Sequence, residues 1–451
     1  MQKIFLTEPY LLTLKPSSEM NVVWIQRERT DGRVEYGKTE MLGQCIHAKC
    51  YEITGLKLPL SGKEYAENPE DNPSMPLWQY IAKIEDLEPG EKIFYRCTSE
   101  NQYTQIYHFH TAPASGEDFR FAQMSDLQGM PHCDESVHSI GCKRIDFILY
   151  SGDAASVSWR AEHWFDLHEE WQDANLVKNA FFPCMQQQNG AQLMQFVPTF
   201  ICPGNHEIDD YRCCKDKGIS LEDRNWNWSI FMQLFRPLYP DTDTTLNGRR
   251  WYSVDYGDMH IVSLSINRCF EWGAYEYPGW RIYDSIDENS PQINWLKQDL
   301  YNAKTKFRWV IQHWHLLNKG EDVQPNLCNP VVQGGCISYP EDNGKMLMDI
   351  YETGRVNAVS YGHSHVYERY FAQGVHYIEA AYLSICYREE NARIHPSGLL
   401  PVVEDNSKRS FLIVDRCAGG LFASGYYVGT VPELFDEYQI ADETGCSVPP
   451  Q

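Results

Sequence analysis

No apolar run in this chain is long enough to cross a bilayer, and no basic block interrupts its acidity. The 451 residues carry 39 Lys and Arg against 62 Asp and Glu, a formal net charge of −23. A field of that sign repels a nucleic-acid backbone and gives an anionic membrane nothing to hold, so neither is expected as a partner. Cysteine is present at 15 residues, but the number is odd, the positions are scattered and no Cys-x-x-Cys pair occurs. Complete disulfide pairing is therefore excluded, a structural zinc site has no support, and mostly reduced thiols are expected. Cys213-Cys214 reads as an ordinary loop pair. The first twelve residues hold one Lys and a broken apolar run, too short for a signal segment or a span. The expectation is a soluble protein, cytoplasmic as written, or periplasmic or extracellular if a signal has been removed. Repeats and low-complexity runs are also missing, and the oligomeric state is left open.

What is present is ample core material, with 43% hydrophobic and 13% aromatic residues, in a chain long enough for two domains. From residue 4 to about 111, short β-type runs are punctuated by Asp31-Gly32 and Pro89-Gly90, with no helical period. This reads as a small all-β sandwich over residues 1–112, with a long loop at 62–76. His108 and His110 share a strand face and read as surface polar residues. Residues 111–117 have linker composition, and beyond them strand alternates with helix, an α/β (α+β) pattern over 113–451. Strands are expected at 119–124, 147–150, 198–201, 307–311 and 358–360, with a strand pair over 251–265. Helices are expected at 161–177, 226–235, 291–303 and 344–351, and the strand-like stretch 411–440 is expected to complete a second sheet. Parallel pairing with right-handed crossovers gathers the carboxyl ends of such strands on one edge.

Five polar clusters close these hydrophobic runs: Ser125-Asp126-Leu127-Gln128, Ser151-Gly152-Asp153, Pro203-Gly204-Asn205-His206-Glu207, Gln312-His313 and Tyr361-Gly-His-Ser-His-Val-Tyr-Glu-Arg369. Five clusters at five strand ends describe one site. Asp126, Asp153, Asn205, His313, His363 and His365 supply two carboxylates, one amide oxygen and three imidazoles. Such a mixed oxygen and nitrogen set suits Mn, Zn or Fe rather than Ca or Mg. Six ligands exceed what one ion with an open position needs, so two ions sharing a carboxylate is the economical reading. Two ions about 3.5–4 Å apart can hold a bridging hydroxide and clamp a phosphoryl group, which implies phosphoester hydrolysis.

The ordered set Asp, Gly-Asp, Gly-Asn-His-Glu, His, Gly-His-x-His resembles the calcineurin-like metallophosphoesterase superfamily, and Gly-His-Ser-His-Val-Tyr-Glu-Arg resembles its purple acid phosphatase branch. Pro9-Tyr10-Leu11, Val23-Trp24, Val34-Glu35-Tyr36-Gly37 and Phe109-His110-Thr111-Ala112-Pro113 are similar to the fibronectin III-like domain that precedes the catalytic domain there. The resemblance implies two mixed sheets packed as a sandwich and flanked by helices. It implies Asp126 and His365 on a first metal, Asp153 bridging, and Asn205, His313 and His363 on a second. His206 falls where a residue contacts substrate phosphate and protonates the leaving group, and His315 is a weaker candidate behind the ligands. Two positions depart from the pattern. Gln128 stands where the wider superfamily often has His, and Ser156 where the purple branch has a Tyr ligand. Without that phenolate, divalent Mn, Zn or Fe is expected and Fe(III) is disfavoured. The sandwich is expected to give no metal ligand and to pack beside the catalytic edge.

Trp159, Trp164, Trp171, Phe181 and Phe182, with a second aromatic cluster at 272–280, could wall a substrate pocket, although aromatics at helical spacing more often form core. The expected function is hydrolysis of small phosphorylated substrates, phosphomonoesters first, with phosphodiesters or nucleotides as the alternative. A non-catalytic binding protein with a vestigial site is the reading from another class, and the intact Asp153, Asn205 and Gly-His-Ser-His set opposes it.

Overall fold

The computed structural model describes residues 4–61, 64–66, 71–167, 174–187, 191–208, 226–239, 249–267, 284, 286–316, 341–380, 401–405 and 407–450. Cys213-Cys214, Trp171 and the aromatic cluster at 272–280 lie outside them.

The N-terminal part is two antiparallel sheets. One has strands Tyr10–Leu12, Met20–Gln26, Leu77–Ile84 and Lys49–Ile53, in that spatial order. The other is built on Gly32–Gly37 and Lys92–Ser99. Every residue of Met20–Gln26 is buried, where a sheet facing solvent on one side would alternate. The reason is that both of its faces are covered. Leu11, Met20, Val22 and Trp24 meet Val34, Tyr80 and Tyr95 inside the sandwich. Tyr10, Leu12, Val23, Ile25, Ile53 and Leu77 instead join the core of the rest of the molecule. Backbone bonds cross the seam as well: Lys57 N donates to Trp159 O (2.9 Å), Ala161 N to Lys57 O (3.1 Å) and Leu11 N to Met194 O (3.1 Å).

The seam also explains the segment expected as one helix over 161–177. Its described residues hold a 3-10 turn, Ala161–His163, followed by two short helices, Ala174–Asn179 and Phe181–Gln186. Trp159, Trp164, Phe181 and Phe182 are fully buried, and Phe182 packs 5.0 Å from the Tyr10 ring. These aromatics form core.

Beyond residue 113 two mixed sheets face one another. In the first, Thr199–Ile201, Phe147–Tyr150 and Phe119–Met124 run parallel. The C-terminal strands Ser410–Cys417, Gly420–Tyr427 and Glu433–Asp442 extend this same sheet, antiparallel to Phe119–Met124, and do not complete the second one as expected. The second sheet has Met259–Ser263, Phe307–Ile311, Ala358–Tyr361 and Val375–Glu379 parallel at its centre. Its hairpin Tyr367–Ala372/Val375–Glu379 was not among the expected elements. Phe121 of the first sheet meets Trp309 of the second edge-on at 5.1 Å. On the outer face, helices Pro291–Asn302 and Glu341–Thr353 bury Ile293, Leu296, Leu347 and Tyr351 against Val310 and Val359. The first of these helices starts where expected because the Ser290 side chain caps the Ile293 amide and Pro291 occupies the first turn. Parallel strands in both sheets thus end on the same edge.

Candidate metal centre

At that edge the backbone turns sharply. Asp126, Gln128, Asp153, His363 and His365 all have positive φ, from 49° to 85°, a region that costs non-glycine residues energy and that recurs at functional sites. Two glycines make room for the carboxylates. A Cβ on Gly204 would lie 2.1 Å from Asp153 Oδ1, and one on Gly362 would lie 2.2 Å from Asp126 Oδ2.

The sheets then bring their polar ends together. Asn205 Oδ1 lies 2.9 Å from His313 Nε2 and 2.9 Å from His363 Nδ1. His313 Nε2 is also 3.2 Å from Asp153 Oδ2. Asp153, His313 and His363 all present ligand-type atoms within 4.8 Å of one another. Beside them His365 Nε2 lies 3.2 Å from Asp126 Oδ1, and the His363 amide donates to Asp126 Oδ2 at 3.2 Å. All six expected ligand residues therefore stand in one place, and no residue before Asp126 takes part among those described. His313 Nδ1 donates to the Ser151 carbonyl at 2.7 Å, which turns Nε2 inward.

Burial disfavours the imidazolium of His313, but the Asp153 carboxylate outweighs it and raises His313 to about 9. Burial opposes ionisation of Asp153 too, yet His313 and His206 hold it well below the usual carboxylate range. His363 is pushed well below the ordinary imidazole value by burial and then by His313. Carboxylate, amide oxygen and imidazole converge without a thiolate, which is the donor chemistry of Mn, Zn or Fe.

His206 stands beside them with a quarter of its side chain exposed. Its Nδ1 lies 2.8 Å from the Ser156 carbonyl, and its amide donates to Asp153 Oδ1 at 2.9 Å. The Ser156 hydroxyl donates to the Gln128 carbonyl, and Gln128 Nε2 donates to Asp153 Oδ2 at 2.8 Å. Both departures from the expected pattern are thus spent on tying loops together. Tyr150 is fully buried, its hydroxyl accepting the Leu127 amide at 3.1 Å and donating to the Asp153 carbonyl at 3.5 Å. His315 is buried behind the ligands, with Nδ1 3.0 Å from Ser364 Oγ and 4.0 Å from Glu379 Oε2.

Three supporting residues were given no role on sequence. Glu207 is fully buried and accepts the amides of Asp153 (2.9 Å), Ala154 (2.9 Å), Ala155 (3.2 Å) and Gly204 (2.7 Å). Burial and the Asp153 charge push it up to about 8, while those amides favour its carboxylate. Its position two residues after Asn205 was the signal available. Glu379 accepts the Ser364 amide at 2.7 Å and so holds the turn between His363 and His365. Trp314 stacks on His363 with ring centroids 3.7 Å apart.

Comparison with known proteins shows the family and the fold. Residues 119–367 match the calcineurin-like phosphoesterase model, and residues 8–111 match the purple acid phosphatase N-terminal domain. Acid phosphatase type 7 of Danio rerio is 23% identical over 368 residues, which is 78% of this chain and 68% of that protein. Purple acid phosphatase 22 of Arabidopsis thaliana is 21% identical over 377 residues, 80% of this chain and 66% of that protein. The matches thus span about two thirds of the length of these relatives. Among solved structures, purple acid phosphatase PPD1 of yellow lupin has a TM-score of 0.60 at 15% identity, covering 95% of this chain and 73% of that one. The structure of PhoD has a TM-score of 0.63 at 12% identity, covering 99% and 92%. At these identities the two structures speak for the fold.

Proposed function

Because the chain belongs to the calcineurin-like phosphoesterase family, with a purple acid phosphatase N-terminal domain ahead of it, we propose that it is a dinuclear metal-dependent hydrolase of small phosphate esters, phosphomonoesters first. The observation that carries this is the meeting of Asp153, Asn205, His313 and His363 on one point, with Asp126 and His365 adjoining. Asp126 and His365 would hold one ion, Asn205, His313 and His363 the other, and Asp153 both. When bound, such ions supply Lewis acidity that activates water and neutralises phosphoryl charge.

The remaining work falls to the protein. Asp153 is fixed by the His206 amide and by Gln128, so its carboxylate has little freedom to turn. His206 is oriented by the Ser156 carbonyl through Nδ1, and its Nε2, 3.7 Å from Asp153 Oδ2 on a side chain a quarter exposed, would meet a substrate phosphate or protonate a leaving oxygen. Because the Ser156 hydroxyl is engaged with Gln128, divalent Mn, Zn or Fe is favoured over Fe(III). The division into a sandwich at 1–112 and a catalytic domain at 113–451 follows the change from paired antiparallel strands to strand and helix alternation near residue 113.

Metal analysis after purification without chelators, followed by assay on a panel of mono- and diesters, tests the proposal. Two ions per chain and preferential monoester cleavage are expected. Preferential diester or nucleotide cleavage would replace the substrate class, and a metal-loaded protein inert toward every ester would overturn the reading.

A further inference from the structure

We propose that Trp314 is a positioning residue for His363, its indole face both orienting that imidazole and stabilising the charge the ring acquires when a cation binds. This rests on the reading of His363 as a metal ligand. A ligating histidine ordinarily donates its second ring N–H to a carboxylate or carbonyl, which fixes the plane of the ring. His313 has such a partner in the Ser151 carbonyl. His363 turns Nδ1 to Asn205, and among the described residues its Nε2 has no acceptor. Its backbone is strained as well, at φ 85°, and its position is the more open one. What fixes the ring is Trp314, stacked at 3.7 Å with the planes 30° apart.

The indole is itself anchored. Trp314 is fully buried in the outer hydrophobic cluster, its amide donates to the Ile266 carbonyl (3.3 Å), and its carbonyl accepts Gln312 Nε2 (2.7 Å). Gln312 Oε1 in turn accepts the Tyr351 hydroxyl at 2.6 Å. A π face supports a neighbouring positive charge, and tryptophan does so best. A metal-bound imidazole carries more positive charge than a free neutral one, so the stack should favour the loaded state over the empty one.

The test compares the parent with Trp314→Phe and Trp314→Leu by metal-free melting, by Mn²⁺ and Zn²⁺ stoichiometry and affinity, and by change in tryptophan emission during titration. Trp314→Leu is expected to weaken one ion about tenfold and leave the other at parental affinity, with Trp314→Phe between. The emission change should be smaller in both variants. Parental affinity for both ions in Trp314→Leu would overturn the inference, as would equal weakening of both. If Trp314→Leu does not fold, parental binding in Trp314→Phe has the same force. A parent that binds no metal would instead overturn the metal-centre reading itself.

Discussion

The two flanks of the centre are held differently. Asp153, Asn205, His313 and His363 come from both sheets, are linked in a chain of close contacts through His313 and Asn205, and are backed by Glu207, the Ser151 carbonyl and Trp314. Asp126 and His365 pair with one another, and Asp126 is placed through the amide of His363 and through its own amide, which donates to the Gly152 carbonyl beside Asp153. One flank therefore keeps its shape through its own contacts, while the other borrows its shape from the first. The difference teaches that loss at the braced flank should spread, and loss at the paired flank should stay local.

The largest expected effect follows from that asymmetry. Asn205→Ala should lower turnover at least about a thousandfold, beyond the 10–100-fold typical of partners behind the ligands, and reduce binding of both ions. Asp126→Ala should leave one ion tightly held. Metal counts per chain decide, and equal loss of both ions from the two variants would break the comparison. Glu207→Gln should come next, since an amide nitrogen cannot accept the backbone N–H groups that the carboxylate now satisfies; metal affinity should fall about 10–100-fold with the fold retained. Unchanged affinity in a metal titration would mean that the loop at Asp153 holds itself.

A third outcome is spectroscopic. Iron loading should give no intense purple band, because Ser156 has no phenolate to donate charge and its hydroxyl is bound to the Gln128 carbonyl. A strong mid-visible absorption in the active protein would show that another Tyr reaches the paired flank.

The smallest effect lies outside the centre and serves as its control. His260 sits between Asp255 (2.6 Å) and Asp299 (2.9 Å). Burial disfavours its cation, but the two carboxylates outweigh burial and raise it to about 9. Because the folded value lies above the unfolded one of about 6.5, this stabilisation is complete below pH 6.5 and lost as pH rises through 9. It is of the order of 3 kcal/mol at most. Denaturant melts of metal-saturated protein from pH 6 to 10 should show the decline, and His260→Gln should flatten it. An unaltered slope in that variant would assign the decline to the metal centre.

Much of this centre was legible because each ligand follows a short hydrophobic strand, and strands that run parallel must end together. Asp126, Asp153, Asn205, His313, His363 and His365 could be picked out as one set for that reason, and the structure places them side by side. Ser156 and Gln128 were visible as departures, but not that they bond to one another. Glu207 was hidden because its partners are backbone amides, which leave no mark in side-chain identity. Trp314 was hidden because a stacked ring looks like any core residue. In the sandwich, the strands were evident from turn signals, whereas the burial of Met20–Gln26 on both faces depends on contacts far away in sequence. The break in the expected helix at 161–177 has the same cause.

The pairing of Phe119–Met124 with Ser410–Cys417 has a consequence for how the protein is made. The strand that leads to Asp126 lies between Phe147–Tyr150 and Ser410–Cys417, and Arg120 clasps Asp415 across 295 residues. A ribosome adding roughly 5–20 residues per second needs about 15–60 s to cover that interval. Throughout it the nascent strand has one neighbour and one open edge, the state most exposed to wrong partners. The sheet can close only once the C-terminal strands emerge, so a chain stopped short of residue 410 would carry every ligand and still lack the sheet that holds Asp126 in place.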